Sequence, residues 1–205
     1  MFTGIITAIG TIDKVEQRGD LRAVISCPYD PDSIAIGASI ACSGVCLTVV
    51  EKGGKTDQAW FAVDISAETV SRSVKGMWDQ GGRLNLETAL KLGDELGGHI
   101  VTGHVDTVGE VVMTKNVGGS IRIAIRVRAE FAPFIAAKGS ITVDGVSLTV
   151  NDVRDKPDKT CDFAVNIIPH TAEVTTLGRL NTGSRVNLEI DVLARYLQRM
   201  ESLRG

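Results

Sequence analysis

A seven-residue segment that occurs twice constrains this chain more than any other feature. Residues 43–49 read SGVCLTV and residues 144–150 read DGVSLTV. The offset between the copies is about 100 residues, the size of a domain and too long for a solenoid repeat. We therefore expect two homologous domains, each built around one copy of this segment.

Further segments recur in the same order, and Thr69 also matches Thr171. The offset drifts by a few residues, as small loop insertions would cause. The predicted boundaries are residues 1–98 for the first domain, 99–190 for the second and 191–205 for a tail without a copy. The paired segments are 3–6 with 102–105, 39–40 with 140–141, 61–65 with 163–167, and 81–87 with 183–189.

Each copy of the repeated segment begins with a polar residue and a glycine, a pattern that predicts a turn leading into a strand. In the first copy, the alternation places Val45, Leu47 and Val49 on one face of the strand and Cys46 and Thr48 on the other. We expect the apolar face to pack in a core and the thiol and hydroxyl face to be available to a ligand.

The remaining pattern predicts many short strands with frequent glycines, which is typical of small antiparallel barrels. Gly53-Gly54 is predicted as a hairpin turn, Ser66 as the N-cap of a short helix, and Pro169 as the first residue of another. Segments 30–33 and 131–133 are predicted as turns or short helices. The predicted strands are 2–15, 21–26, 39–50, 58–65, 83–86, 110–113, 120–127, 140–153 and 161–167.

The tail differs from the repeats. Leu193, Tyr196, Met200 and Leu203 recur at a 3-4-3 spacing, which predicts a helix with one apolar seam. The seam either packs on its own domain or joins subunits, and we favour the second interpretation. Because so short a helix is too weak to associate alone, the domains would have to contribute to the interface.

Composition narrows the class of protein. A hydrophobic content of 43% with 23% charged residues fits a soluble globular chain, and a net charge of −3 argues against a nucleic-acid surface. No apolar run approaches the roughly 18 residues that a membrane span needs. The four cysteines lack CxxC spacing, so we expect no metal site and reduced thiols in a cytoplasmic protein.

Several motifs together resemble the riboflavin synthase family: residues 1–6 (MFTGII), 97–105 (GGHIVTGHV), 168–171 (IPHT), 175–178 (TTLG) and the two glycine-led strands. The resemblance covers the whole chain. It implies an all-β fold of two tandem homologous six-stranded antiparallel Greek-key barrels plus a C-terminal α-helix, assembled as a homotrimer. It also implies an active site between the first barrel of one subunit and the second barrel of its neighbour.

The family reaction is a dismutation without metal or cofactor. Two molecules of 6,7-dimethyl-8-ribityllumazine exchange a four-carbon unit, giving riboflavin and 5-amino-6-(ribitylamino)uracil. Because one molecule is donor and the other acceptor, the duplicated sites should differ. They do, and the second half carries the ionisable groups: His104 replaces Ile5, Ser147 replaces Cys46, Asp144 replaces Ser43, and Lys138 replaces Gly37.

Four residues are candidates for catalysis. His104 is expected to transfer protons, although it could instead only hydrogen-bond the ligand. Asp144 is expected to polarise Ser147, or else to be a carboxylate that stabilises its turn. Cys46 could act as a nucleophile only with a lowered pKa, so a ligand contact is favoured. His99 lies near the predicted junction and is open between a structural and a ligand-contacting role.

The expected substrate contacts come from four kinds of segment: the N-terminal and junction segments, the glycine-led strands, the starts of the short helices, and Lys138. Phe2 is expected to stack on the ligand as part of a flap, or else to be a core residue. Lys138 would hold an anionic ring form, or be a surface lysine. The other predicted contacts are Gly4, Ile5, Ile6, Ser39, Cys46, Leu47, Thr48, Asp64, Ile65, Ser66, Ala67, Glu68, Thr69, Gly103, His104, Val105, Ser147, Leu148, Thr149, Ile167, Ile168, Pro169, His170, Thr171 and Ala172.

Three other functions compete with the enzyme. The first is a non-catalytic lumazine- or flavin-binding antenna protein of the same superfamily, in which one of the two repeats would have lost the family's sequence motifs. The second is the barrel domain of a flavin-dependent reductase, which would need a nicotinamide-binding domain after it. The third is a purely structural oligomer. The expected ligands are the lumazine and riboflavin. The chain is expected to form a homotrimer, and lumazine synthase is a candidate partner protein.

Overall fold

The computed structural model describes residues 1–56 and 58–204. Within them, six antiparallel strands close into barrel 1, in the order β1-β2-β5-β4-β3-β6. The strands are β1 Ala8–Arg18, β2 Asp20–Cys27, β3 Ser39–Cys42, β4 Val45–Lys55, β5 Gln58–Ile65 and β6 Arg83–Thr88.

Barrel 2 repeats this architecture, in the order β10-β11-β8-β7-β12-β9. Its strands are β7 Thr107–Val117, β8 Ser120–Val127, β9 Ser140–Val143, β10 Val146–Asp155, β11 Cys161–Ile167 and β12 Arg185–Ile190. The helices are α1 Ala67–Arg72, α2 Pro169–Val174 and α3 Val192–Glu201, with 3₁₀ turns at Pro31–Ser33, Ala129–Phe134 and Thr176–Arg179. The predicted fold class of two antiparallel barrels and a C-terminal helix is confirmed.

The two faces predicted for the repeated strand are also confirmed. Val45, Leu47 and Val49 are buried in the core of barrel 1, whereas Cys46 is partly exposed and Thr48 exposed. In barrel 2, Val146 and Val150 are buried in the second core. The polar face of the strand therefore remains outside each core.

The turn predicted at the start of each repeated segment is confirmed, and it divides each of the predicted strands 39–50 and 140–153 into two strands. Ser43 and Gly44 have φ values of 45° and 84°, and Asp144 and Gly145 have 46° and 81°. Positive φ at both central residues is the signature of a two-residue type I′ hairpin. The chain therefore reverses within each predicted strand, which adds one strand to each barrel.

The predicted hairpin turn at Gly53-Gly54 is wrong, because β4 continues to Lys55. Gly53 lies opposite Trp60 in the β4–β5 ladder, and a Cβ on it would come within 2.6 Å of the indole ring. The glycine is required by this close approach, which a sequence pattern does not distinguish from a turn.

The strand predicted from residue 2 begins later, at Ala8. Phe2 instead forms an isolated bridge with Val101, in which Phe2 N donates to Val101 O at 2.7 Å. Its ring is buried with Ala41 and Val101. The N-terminal segment therefore pairs with the junction between the barrels before the first barrel strand begins.

The barrels are joined by a reciprocal network around the two tight turns. Asn85 Nδ2 donates to Asp144 O at 2.9 Å, and Asn187 Nδ2 donates to Ser43 O at 3.0 Å. Both asparagines are fully buried. Because each asparagine comes from one barrel and its acceptor from the other, the network fixes the barrels relative to each other.

Helix α3 leaves its apolar side chains exposed. Leu193, Tyr196, Leu197 and Met200 each expose more than half of their surface. Arg195, on another side of the helix, is paired with Asp106 of barrel 2 at 2.8 Å. The helix is thus anchored through its polar side, and its apolar seam faces outward.

Among the helices that the structure describes, none is long and apolar enough to span a membrane.

We expect Gly44→Ala to destabilise the protein more than Gly19→Ala. Both glycines have similar positive φ values, 84° and 86°, but a Cβ at Gly44 would come within 3.0 Å of Gly145 N, whereas Gly19 has open space. Overpacking of this kind costs about 1–3 kcal/mol. Thermal unfolding of the two variants measures the difference, and equal melting temperatures would contradict the close approach of the turns.

Candidate active site

Each glycine-led strand is covered by a segment that pairs with its polar face. Ser147 N of barrel 2 donates to Gly4 O at 2.8 Å, and Cys46 N of barrel 1 donates to Gly103 O at 2.7 Å. We call residues 4–6 the N-terminal flap and residues 103–105 the junction flap. The N-terminal flap therefore lies on barrel 2, and the junction flap on barrel 1.

The residues at the ends of the flaps anchor them to these same barrels. Ile6 packs against the core of barrel 2, and Val105 packs against the core of barrel 1. Each flap thus crosses from its own sequence repeat to the opposite one. Sequence comparison aligned the two flaps with each other but could not reveal this exchange.

Glycine is required at both crossing points. Gly4 and Gly103 have φ values of 77° and 78°. A Cβ on Gly4 would lie 2.5 Å from Ser147 Cβ, and one on Gly103 would lie 2.6 Å from Cys46 Cβ. The flap backbone therefore contacts the strand at the residue whose side chain differs between the two copies.

The exchange changes how the predicted catalytic residues are grouped. His104 follows Gly103 in the junction flap, so it belongs with Cys46 and Thr48 on barrel 1. Ser147 and Thr149 lie on barrel 2, beside the N-terminal flap with Ile5. The sequence analysis grouped the ionisable residues because they share one half of the chain. In the structure, the flap with His104 lies on barrel 1, whereas Ser147 belongs to barrel 2.

Ser147 contacts His99, whose role the sequence left open between structural and ligand-contacting. Its Oγ lies 2.7 Å from His99 Nδ1, and His99 Nε2 lies 3.2 Å from Thr142 Oγ1. Burial lowers the pKa of His99, which keeps its imidazole neutral near pH 7. A neutral imidazole that donates to Thr142 through Nε2 can accept the Ser147 proton through Nδ1.

His99 was missed as a partner of Ser147 because 48 residues separate them in the chain. The preceding residue, Gly98, is a sequence signal for the position of His99. A Cβ on Gly98 would clash with Thr3 O and lie 2.9 Å from Ser147 Cβ. The Gly97-Gly98-His99 motif therefore brings the junction close enough to barrel 2 for the histidine to reach the serine.

Asp144 does not polarise Ser147 in this structure. Its Oδ1 accepts a hydrogen bond from Asn187 N at 2.7 Å, and no hydrogen bond joins it to Ser147 among the residues that the structure describes. Burial raises the pKa of Asp144 to about 7. The alternative of a carboxylate serving its turn fits better, although the backbone that it bonds belongs to the neighbouring strand β12.

Lys138 occupies a backbone conformation that favours glycine. It has a φ of 68°, and its amide donates to Val150 O at 2.7 Å beside the end of the polar face. The matching residue of barrel 1 is Gly37, with a φ of 85°. A lysine in this region costs on the order of 1 kcal/mol relative to glycine, and such strain clusters at functional sites.

The starts of the short helices are formed as expected. Ser66 caps α1 by accepting from Thr69 N at 3.2 Å, and Pro169 is the first residue of α2. The predicted contacts in these segments that expose surface are Asp64, Ser66, Ala67, Glu68, Ile168, Pro169 and His170, with Thr69, Thr171 and Ala172 partly exposed.

Four predicted contact residues have buried side chains. Phe2, Leu47, Ile65 and Ile167 are at least 94% buried, and each packs in an apolar cluster of the protein. Phe2 in particular offers no free ring face, so the alternative of a core residue fits this arrangement better than stacking on a ligand.

Comparison with known proteins relates this architecture to one family. The family model for the lumazine binding domain matches residues 3–89 and again residues 102–191. A riboflavin synthase of Brucella abortus is 48% identical over 204 residues, covering 98% of both chains. A riboflavin synthase of Mycobacterium tuberculosis is 43% identical over 201 residues, again with 98% of both chains covered.

Solved structures with the same fold include LumP complexed with riboflavin, at a TM-score of 0.77 and 25% identity over 93% of this chain and 99% of that one. LumP complexed with 6,7-dimethyl-8-(1'-D-ribityl) lumazine has a TM-score of 0.73 at 23% identity. The second likeness is a likeness of fold alone. The curated relatives are thus considerably more similar in sequence than these structural neighbours.

We expect the contribution of Asp144 to the stability of the protein to fall as the pH rises from about 4 to about 7, a loss that Asp144→Asn does not show. The folded state raises the pKa of Asp144 from 3.8 to about 7, so in this window the unfolded chain releases a proton that the folded chain keeps. Below the window both states are protonated, and above it both are charged. Asparagine keeps an acceptor for Asn187 N without titrating.

Denaturant unfolding at pH 5 and pH 8 measures this difference. The wild type should lose more free energy of unfolding between the two pH values than Asp144→Asn, by an amount on the order of a few kcal/mol. Parallel changes in the two proteins would show that Asp144 ionises normally in the folded state.

Proposed function

The chain belongs to the riboflavin synthase family, and we propose that each of its barrels binds one lumazine on the polar face of its glycine-led strand, under the flap that crosses to it. The activity is that of riboflavin synthase, the dismutation of 6,7-dimethyl-8-ribityllumazine to riboflavin and 5-amino-6-(ribitylamino)uracil. The observation that carries the proposal is the pair of flap-covered strands, which are alike in backbone and different in chemistry.

The site on barrel 1 combines Cys46, Thr48 and the exposed His104. His104 is the proton-transfer group, because an imidazole can accept and return a proton and this residue is exposed in the flap that covers Cys46. Its task is to accept a proton from the acidified methyl group of one lumazine or to return it later. Cys46 contacts the ligand and does not serve as nucleophile.

The site on barrel 2 combines Ser147, Thr149 and Lys138, with His99 behind Ser147. His99 orients the serine hydroxyl and accepts its proton, so that Ser147 assists addition at the electrophilic ring carbon of the other lumazine. Lys138 supports negative charge that develops on the ring. The two sites thus supply different protonation chemistry, as a donor and an acceptor require.

The two lumazines must also meet face to face, and holding them in that geometry can supply about 7–11 kcal/mol of the barrier. We place this meeting between barrel 1 of one subunit and barrel 2 of its neighbour in a homotrimer. The outward apolar seam of α3 supports the assembly, because contiguous exposed apolar surface marks interaction sites. The exposed Leu92 and Leu96 beside the junction add apolar surface for the barrels to contribute.

Two further parts of the proposal concern the cellular location of the protein and its association with another protein. The four thiols are free, which fits a reducing compartment and supports the predicted cytoplasmic location. Association with lumazine synthase stays a prediction.

A non-catalytic lumazine- or flavin-binding protein is the second candidate. The likeness to LumP complexed with riboflavin favours it at the level of fold and ligand class. Against it, both barrels of this chain keep the glycine-led strand, the covering flap and at least one group able to move a proton. The enzyme is therefore the better supported of the two.

The deciding experiment is incubation of the purified protein with 6,7-dimethyl-8-ribityllumazine, followed by absorbance and fluorescence. We expect one riboflavin and one pyrimidinedione for every two lumazines consumed. Tight binding with no riboflavin formed would instead support the non-catalytic candidate.

We expect His104→Ala and Ser147→Ala each to lower turnover by about 10²–10⁴-fold, the range typical of general acid–base groups, while ligand affinity changes much less. Steady-state kinetics and fluorescence titration of the lumazine measure the two effects. Lys115→Ala, an exposed change on β7, is the control and should match the wild type. Unchanged turnover in both site variants would refute the assignment.

The seam of α3 generates a separate expectation. The double variant Tyr196→Glu/Met200→Glu should dissociate the trimer and abolish turnover, while each barrel still binds ligand, because two charges oppose burial of the seam. Light scattering gives the molecular mass and a fluorescence titration the affinity. Arg199→Glu adds charge beside the seam and should leave the assembly intact. A monomeric wild type or an active monomeric variant would contradict the inter-subunit site.

A further inference from the structure

Two buried glutamates have no role in the chemistry described above. Glu87 on β6 is 4% exposed and Glu189 on β12 is 2% exposed. They occupy matching positions in the two repeats. A buried carboxylate is costly unless hydrogen bonds satisfy its oxygens, so the groups that surround these two indicate what they are for.

Each carboxylate accepts hydrogen bonds from one short segment. Glu87 Oε1 accepts from Thr3 N at 2.6 Å and Thr3 Oγ1 at 2.7 Å, and its Oε2 accepts from Gly4 N at 2.9 Å. Glu189 Oε1 accepts from Thr102 N at 2.6 Å and Thr102 Oγ1 at 2.7 Å. Its Oε2 accepts from Gly103 N at 2.9 Å and from His104 N at 3.1 Å.

The segments that the glutamates hold are the starts of the two flaps. Glu87 belongs to barrel 1, but the N-terminal flap that it holds covers Ser147 of barrel 2. Glu189 belongs to barrel 2, but the junction flap that it holds covers Cys46 of barrel 1. Each site is therefore closed by a segment whose position is set from the opposite barrel.

We propose that Glu87 and Glu189 are reciprocal positioning residues, each of which holds in place the flap that closes the ligand site on the other barrel. The proposal rests on the proposed function, since it concerns the same two sites. Neither glutamate touches the substrate. Both act through the backbone amides that they orient.

The tight fit of the flaps explains why such anchoring is needed. The flap glycines approach the strands so closely that a single Cβ would collide with Ser147 or Cys46. A carboxylate that accepts from two successive amides fixes both the position and the direction of the backbone there. The flap is thus held in place before the ligand arrives.

The two glutamates also reach the proton-transfer groups. Glu189 accepts directly from His104 N, so it fixes the backbone position from which the imidazole extends at barrel 1. Glu87 holds Thr3, whose carbonyl accepts from His99 N at 3.1 Å, and His99 in turn contacts Ser147. Losing either glutamate should therefore disturb one site and leave the other in place.

Thiol labelling tests this crossed pattern directly. Cys46 is partly exposed and the other three cysteines are buried, so iodoacetamide reports on the barrel 1 site. Glu189→Gln should raise the labelling rate of Cys46 by about tenfold, because the flap opens locally at low cost. Glu87→Gln should leave that rate unchanged.

The matched arm places the reporter on barrel 2. In the Cys46→Ser/Ser147→Cys background, Glu87→Gln should raise the labelling rate of the new cysteine, and Glu189→Gln should not. Equal increases in labelling rate for both glutamate variants with both cysteine reporters would mean general loosening and overturn the proposal. The proposal would also fail if each glutamate variant raised labelling only on its own barrel, or if labelling did not increase at all. Labelling needs no turnover, so its result is independent of whether riboflavin is formed.

Two milder variants keep the test decisive if the glutamine variants fail to fold. Thr102→Val removes one hydroxyl donor to Glu189 and keeps the side-chain shape. Thr3→Val does the same at Glu87 and also removes the acceptor of Ile5 N, at 3.1 Å. They should give the same crossed pattern at smaller amplitude. In the enzyme assay, Glu189→Gln should lower kcat more than it raises KM, because it displaces His104, and Glu189→Asp should recover part of the loss.

Discussion

The structure depends on an exchange between its two barrels. Buried side chains of each barrel bond backbone atoms and thereby hold a turn or a covering segment of the other barrel. Asn85 and Asn187 each reach across to the tight turn of the other barrel, and Glu87 and Glu189 each hold the segment that covers the other barrel. All four side chains are buried, where an unpaired polar group would be costly. The asparagines bond the backbone of the opposite barrel, and the segments that the glutamates hold lie on the opposite barrel, so the two copies are bound into one unit.

This exchange explains how two similar folds give different residues to the two sites that we propose. The strands β4 and β10 have the same backbone pairing with their flaps, so a flat heterocycle would meet the same framework in both. The difference comes from the side chains on that framework. On barrel 1, Cys46 bonds the flap that carries His104. On barrel 2, Ser147 bonds the flap that carries Ile5 and contacts the neutral His99. Duplication supplies the geometry, and a few substitutions supply the asymmetry that a dismutation requires.

Local patterns predicted much of the fold correctly. The strands at 58–65, 120–127 and 161–167 have the predicted bounds, and the N-cap at Ser66 and the helix start at Pro169 are confirmed. These features depend on alternation and capping, which act over a few residues. The error at Gly53-Gly54 has the opposite origin. A glycine that faces a tryptophan ring is explained by a contact with another strand.

The sequence by itself determined that the chain is duplicated, that each copy has a strand with an apolar and a polar face, and that the two copies differ at Cys46 and Ser147. Only the tertiary structure decided which of these residues lie close together. It places His104 in the flap over barrel 1, His99 within hydrogen-bond distance of Ser147, and the Asp144 carboxylate in a hydrogen bond with Asn187 N. The physical reason is that a sequence repeat shows which segments are equivalent but not which segments are in contact. A site is formed by hydrogen bonds and close approaches between segments that are far apart in the chain.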